Sequence, residues 1–135
     1  RRVEDTLAAL GFSEAYTPSL VEEDRDPGAL RLQEPISVEL AVMRTELLPS
    51  LIETARRNAE VGNERVALFE IARVYLPRGD AELPEEKTRV AGIAEGGFVR
   101  VKGVVEALLR SLHADASWAR TAHRWPGRSA RVIPT

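Results

Sequence analysis

Arg44-Thr45 stands between the apolar stretch Leu40 to Met43 and the leucine-rich run Leu47 to Leu51. A guanidinium in that position can grip a carboxylate or a phosphate through its paired donors, or pin a neighbouring loop or subunit. Glu70 sits inside the β-rich run Arg65 to Tyr75. If it faces inward it needs a partner, because an unpaired buried carboxylate is costly. That leaves a structural Arg–Glu pairing or an exposed strand face. The carboxylates Glu22-Glu23-Asp24 and Glu85-Glu86 fall in predicted loops, where solvation is the plainer reading than general acid–base work. Ser13, Ser37, Ser50 and Ser129 lack a nucleophile-elbow context. His113 and His123 flank a change from helix to loop and read as surface or partly buried side chains rather than metal ligands. In the tail, Arg120, Arg124, Arg128 and Arg131 interleave with Trp118 and Trp125. Such a cluster can stack on RNA and neutralise it, with Arg124 and Arg128 as the candidate contacts. Packing against a partner segment explains the cluster as well. No phosphate loop, dinucleotide fingerprint or HExxH pattern occurs. No residue set here is assigned to catalysis, to a cofactor or to a metal.

These residues need a scaffold, and composition bounds it. The chain has 135 residues, 44% of them hydrophobic. That is one domain's worth, enough to bury roughly two-thirds of the unfolded surface. With 19 basic and 21 acidic residues, the net charge is -2. Nothing pulls the whole chain toward nucleic acid, so any RNA contact must be local. The absence of cysteine excludes a disulfide framework, a Cys-ligated zinc and thiol catalysis. It also favours a reducing compartment. Apolar runs are far shorter than the ~20 residues of a bilayer span. The chain opens on Arg1-Arg2 without Met and without a signal-peptide pattern. We expect a single module, residues 1–135, that is a piece of a longer polypeptide.

Val3, Leu7 and Leu10 recur at helical spacing and Gly11 stops them, which predicts a helix over about 1–10. Glu14 to Pro18 reads as a short strand, and Leu30 to Leu32 as another. Residues 38–43 read as a helical turn leading into Arg44. Leu47, Leu48, Leu51, Ile52 and Ala55 form one face of a helix that starts near Pro49. Proline is tolerated there because a first-turn amide has no partner within the helix. That helix should end near Asn58–Gly62. Arg65 to Tyr75 is the best strand. An acidic loop follows over Ala81–Lys87, then a returning strand from Arg89 to Ala94, stopped by Gly96-Gly97. Val101, Val104, Val105, Leu108, Leu109 and Leu112 make a helical stripe. Ala130 to Ile133 reads as a terminal strand. This order has few βαβ crossovers. It suggests an α+β fold, a mostly antiparallel sheet flanked by helices.

Read together, these segments resemble the synthetase-like core module of the β subunit of bacterial phenylalanyl-tRNA synthetase. The resemblance covers most of the chain. Arg1 to Pro18 looks like the first class II motif, which in that family builds a subunit interface. Leu32 to Glu39 and Val42 to Pro49 are similar to the β subunit's signature, with Glu34 where asparagine is usual. Leu68 to Tyr75 resembles its central strand, with Ala72 for a glycine. Leu83 to Glu86 resembles the loop before the returning strand. Lys102 to Leu109 is close to a family helix. Pro126 to Ala130 is similar to a family turn, with Trp125 for a histidine. The resemblance implies a class II aminoacyl-tRNA synthetase-like fold, a degenerate copy of a catalytic core.

The departures carry the functional expectation. In active class II enzymes the second motif's strand continues into Phe-Arg-x-Glu, whose arginine offsets charge developing on ATP. The aligned residues here are Tyr75, Leu76, Pro77 and Arg78. Leucine cannot stabilise a phosphate, and the acid position has reversed its sign. The third motif has no counterpart in these residues. The resemblance therefore implies a non-catalytic structural module of a cytoplasmic, membrane-free (αβ)₂ hetero-oligomer. Its partners would be the α subunit that attaches phenylalanine to tRNA and the tRNA itself. This module would bind no cofactor, while ATP and Mg serve the whole complex. Val3, Leu7, Leu10, Met43, Arg44 and Leu47 are the expected subunit-interface residues, with ordinary core packing as the alternative. The join Glu95 to Arg100 is short for the family. The runner-up reading is a stand-alone synthetase paralogue that binds an amino acid or nucleotide. An engineered or trimmed synthetase core is a third.

Overall fold

The computed structural model describes residues 1–79, 83–120 and 130–134. Its elements run α1 (Arg2–Ala9), β1 (Ser13–Glu14), β2 (Leu20–Val21), a 3₁₀ turn (Val38–Leu40), β3 (Val42–Met43), α2 (Leu48–Glu60), β4 (Ala67–Leu76), β5 (Glu85–Ala94), α3 (Gly97–Ser111), β6 (Ala116–Arg120) and β7 (Ala130–Pro134). Strands form a three-stranded sheet, β1-β4-β5, and two-stranded sheets β2-β3 and β6-β7. The strands that flank α2 (β3 and β4) and α3 (β5 and β6) lie in different sheets, so neither helix closes a βαβ unit, which is the expected α+β class. The chain divides into two compact units. One comprises Arg1–Ser13 with Ala94–Thr135, the other Glu14–Ile93.

In the first unit α1 packs against α3. The Thr6 hydroxyl lies 3.1 Å from the Ser111 hydroxyl, and Arg2 donates to the Ser111 carbonyl at 3.2 Å. Leu7 and Phe12 are buried. Gly11, at φ +86°, turns the chain so that the Phe12 amide can donate back to the Leu7 carbonyl at 3.0 Å. α3 begins four residues before its apolar stripe. The reason is local: Gly96 adopts φ +104°, a conformation that is cheap only for glycine, and the helix starts directly after it. None of the residues of α3 is buried. β6 and β7 form an antiparallel ladder from Ala116↔Pro134 to Arg120↔Ala130.

In the second unit β4 lies between β1 and β5. Only residues 77–84 join β4 to β5. Eight residues, at about 3.3–3.6 Å each, cannot run back along a ten-residue strand, so the pair is antiparallel. Successive strand residues point to opposite faces. Phe69 and Glu70 are both buried, so both faces of β4 are covered at that level. α2 packs against β4. Leu51, fully buried, faces inward from it, with Leu47 buried just before its start. Pro49 occupies the first turn as expected. On the solvent face Glu53 takes Arg56 at 2.7 Å and Arg57 at 2.9 Å, and Arg56 also pairs with Glu60.

Four expectations need correction. Glu85 to Lys87 belong to β5 rather than to a loop. The first five residues of β5 are exposed except for half-buried Lys87, so this stretch carries polar residues without hydrophobic alternation. The strand expected over Glu14–Pro18 is only Ser13–Glu14, although the Ala15 amide still donates to the Phe69 carbonyl at 2.7 Å. The strand expected at Leu30–Leu32 is reduced to one bridge, Arg31↔Val42. The turn expected over 38–43 is a 3₁₀ turn that gives way to β3 at Val42. Among the described residues no helix is long and apolar enough to cross a membrane.

Candidate functional site

Arg44 follows β3 directly and is 2% exposed. Its backbone is held on both sides. The Arg44 amide donates to the Ser19 carbonyl at 3.0 Å, and its carbonyl accepts from the Tyr75 amide at 2.9 Å. Those bonds carry the side chain into the interior between the segment after β1 and strand β4. There Nε donates to the Arg73 carbonyl at 3.2 Å. Nη1 reaches the Thr17 hydroxyl at 2.7 Å, the Thr17 carbonyl at 3.3 Å and Glu70 Oε1 at 3.1 Å. Glu70 accepts also from the Thr17 amide at 3.1 Å and from the Thr17 hydroxyl at 2.7 Å. Glu70 therefore takes three donors and Thr17 bridges the two charges. The inward-facing alternative for Glu70 holds, and its partner is Arg44. A buried ion pair offsets its desolvation only when the remaining donors and acceptors are also satisfied, and this one nearly meets that condition.

A second polar knot adjoins the first. Asp24 accepts the Thr45 amide at 2.8 Å, the Thr45 hydroxyl at 2.6 Å and the Asp26 amide at 2.9 Å. The loop that carries Glu22-Glu23-Asp24 is thereby tied to the segment that leads into α2. Between loop and helix lies a cavity of about 330 Å³, lined by Glu23, Asp24, Arg25, Arg44, Glu46 and Ser50 among others. A larger, shallow cavity of about 580 Å³ is lined by Gly96, Gly97, Phe98, Val99 and Val101, with no chemically active side chain.

The expected interface residues are divided between the two compact units. In the first unit Val3 is half-buried, Leu7 buried and Leu10 exposed. In the second, Met43 is half-buried, whereas Arg44 and Leu47 are buried within the chain. Arg124, Arg128, Trp125 and His123 lie outside the described residues. Among the described residues no cluster of His, Asp or Glu could hold a metal ion. Leu76 ends β4 half-buried, and Pro77 and Arg78 beyond it are exposed. The end of this strand thus offers no inward-facing cation.

Sequence reasoning missed Thr17 and read Asp24 as a solvated loop carboxylate, whereas it accepts from Thr45 and Asp26. Both signals were present. Thr17 precedes a proline at the end of an extended segment, and Asp24 lies two residues before Asp26 in a turn-rich loop, a spacing that suits side chain to backbone bonds.

The comparisons with known proteins follow this geometry. The family model described as the phenylalanyl tRNA synthetase beta chain CLM domain matches residues 1–134. A phenylalanine–tRNA ligase beta subunit of Anaeromyxobacter dehalogenans is 40% identical over 92% of this chain. One from Geobacter metallireducens is 34% identical over 81%, and one from Staphylococcus aureus 32% identical over 98%. The chain spans 19%, 17% and 20% of the lengths of these relatives. The Anaeromyxobacter comparison runs over 151 positions, yet 92% of 135 residues is about 124. About 27 positions of that relative thus have no residue here. Two solved structures of pyrrolysyl-tRNA synthetase from Desulfitobacterium hafniense share the fold, with TM-scores of 0.69 and 0.73 at 15% and 16% identity. Each covers 98% of this chain, and this chain covers 50% and 52% of theirs.

Proposed function

The chain belongs to the phenylalanyl-tRNA synthetase beta chain CLM domain family, and on that premise we propose that it is a non-catalytic structural module. Its work is to hold the α subunit, which attaches phenylalanine to tRNA, within an (αβ)₂ hetero-oligomer in the cytoplasm. ATP and Mg serve the α subunit rather than this module. The tRNA meets the complex, with Arg124 and Arg128 as candidate contacts. One observation carries the reading: the buried cation of the second unit is directed inward to its own backbone and to Glu70, while the end of β4 presents Leu76. A catalyst aims preorganised donors at charge that develops on its substrate. Here the donors fix the fold. A second feature fits a scaffold: apolar side chains remain exposed at Ile36 (98%) and Val99 (82%).

Calorimetric titration tests this. The chain should bind the α subunit and give no heat with ATP. ATP binding without affinity for the α subunit would refute the scaffold reading and favour a stand-alone paralogue.

A further inference from the structure

We propose that this chain associates with a second copy of itself, an exposed apolar turn on one copy seating in the shallow cavity at the start of α3 on the other. The proposal does not rest on the scaffold reading. Ile36 is 98% exposed, and Val38 is exposed beside it. They flank Ser37, where the 3₁₀ turn Val38–Leu40 begins. Single exposed apolar side chains are ordinary, but these two stand together on a segment whose shape is fixed. Pro35 restricts the backbone before Ile36, and the Leu40 amide donates to the Ser37 carbonyl at 3.2 Å. The Glu39 carboxylate accepts from its own backbone amide and from Ser37, which lowers its pKa. The turn is therefore a preformed apolar knob, and little freedom is lost when it docks.

The other surface is the cavity of about 580 Å³ lined by Gly96, Gly97, Phe98, Val99 and Val101. Phe98, Val99 and Val101 are all exposed. An open apolar cavity suits a protruding turn better than a small molecule, which needs to be enclosed. Charge selects the partner. Residues 34–40 carry Glu34 and Glu39 and no cation, whereas residues 96–102 carry Arg100 and Lys102 and no carboxylate. Lys102 also pairs with Glu106 at 3.5 Å, so Arg100 carries the match. Arg100 stands at the cavity rim. Its Cδ lies 2.7 Å from where a Cβ on Gly96 would be, and its Nη1 donates to the Glu95 carbonyl at 2.9 Å. A guanidinium has five donors, so it can also take a carboxylate of the incoming turn. Each copy thus offers an apolar knob edged with acid and an apolar socket edged with a cation. Two unlike surfaces that fit each other close a two-fold dimer when both copies reciprocate, or run on head to tail when they do not. Contact through one turn is far smaller than a standard interface, so the association is weak and reversible.

The test is sedimentation velocity on the intact polypeptide that carries this chain, over a series from about 10 μM to about 1 mM. The sedimentation coefficient should rise with concentration. Ile36→Asp and Val99→Asp should each weaken association about tenfold or more. Val61→Asp, at an exposed valine just after α2, should leave it unchanged. An equimolar mixture of Ile36→Asp and Val99→Asp keeps one intact knob and one intact socket, so it should form dimers that neither variant forms alone. Glu39→Lys and Arg100→Glu should each weaken association, and the chain carrying both changes should recover it. Circular dichroism checks that each variant folds. A native chain that stays monomeric throughout would overturn the proposal. So would Ile36→Asp or Val99→Asp associating as tightly as native, a mixture no better than its components, or a double charge swap that fails to recover. If Ile36→Asp lost only affinity for the α subunit, the knob would belong to that subunit and the proposal would fall.

Discussion

Glu70→Ala is the most informative perturbation of this chain. It removes the acceptor of three hydrogen bonds, from Arg44 Nη1, the Thr17 amide and the Thr17 hydroxyl. Arg44 is then a guanidinium, 2% exposed, without its counter-charge. Breaking a buried pair by removing one partner costs about 3–5 kcal/mol. Domains of this size have about 5–15 kcal/mol in total. Glu70→Gln keeps the shape and part of the acceptor capacity, so its cost should be smaller, about 1.5–3 kcal/mol. Arg44→Met with Glu70→Leu removes both charges and fills the volume with apolar atoms, which is often close to neutral for a buried pair. The Thr17 amide then lacks its acceptor, at about 1–3 kcal/mol. The double variant should therefore be more stable than the sum of the single losses, with a coupling of about 2 kcal/mol. Urea unfolding of the chain followed by circular dichroism gives each value, provided the slope m stays constant. A cost for Glu70→Ala below about 1 kcal/mol, or strict additivity, would refute the claim that this pair holds β4 to the Arg44 segment.

Leu51→Ala should cost about 2–5 kcal/mol, because Leu51 is fully buried between α2 and the sheet, and the same urea titration reads it. Gly96→Ala should destabilise by about 1 kcal/mol or more. The residue sits at φ +104°, and a Cβ there would meet Arg100 Cδ at 2.7 Å; thermal melting of the variant checks it. Asp24→Ala should loosen the Glu22-Glu23-Asp24 loop by removing the acceptor for Thr45 and Asp26, seen as faster amide exchange at both residues. Glu53 accepts from Arg56 and Arg57, which lowers its pKa from 4.5 to about 2. A depressed carboxylate stabilises above its unfolded value and loses that contribution as pH falls through the folded one. Native and Glu53→Gln chains should therefore differ in helicity above about pH 4.5 and converge toward pH 2. Added salt should shrink the difference, since these groups are exposed.

Much of the fold was legible wherever local periodicity and tertiary burial agree. α2 announced itself through Leu47, Leu48, Leu51 and Ile52 with Pro49 in the first turn, and its last helical residue falls at Glu60 as expected. β4 was legible from its β-branched and aromatic content. β2 and β3 were not, because two-residue strands exist only through their partners: Leu20 faces Met43 and Val21 faces Val42 across 20 residues of loop. β6 was missed because Ala-Ser-Trp-Ala-Arg carries no β-branched residue to mark it as a strand. Glu85 to Lys87 looked like loop because this charged start of β5 has no hydrophobic alternation to show. The Arg44–Glu70 pair was half legible. A lone carboxylate in an apolar strand demands a cation, but nothing in the spacing of 44 and 70 says which one arrives. Thr17, which joins them, carries no periodic signal.

The same arginine separates a scaffold from a catalyst. A catalytic cation is useful in proportion to the donors and charge it still has to offer when the transition state forms. Arg44 has Nε and Nη1 engaged by its own fold, and Glu70 cancels its charge at 3.1 Å. Releasing it for chemistry would leave Glu70 buried without a counter-ion, a cost of several kcal/mol. Stability and catalysis therefore compete for this side chain. The chain resolves the competition toward stability, and Leu76 at the end of β4 supplies no alternative cation.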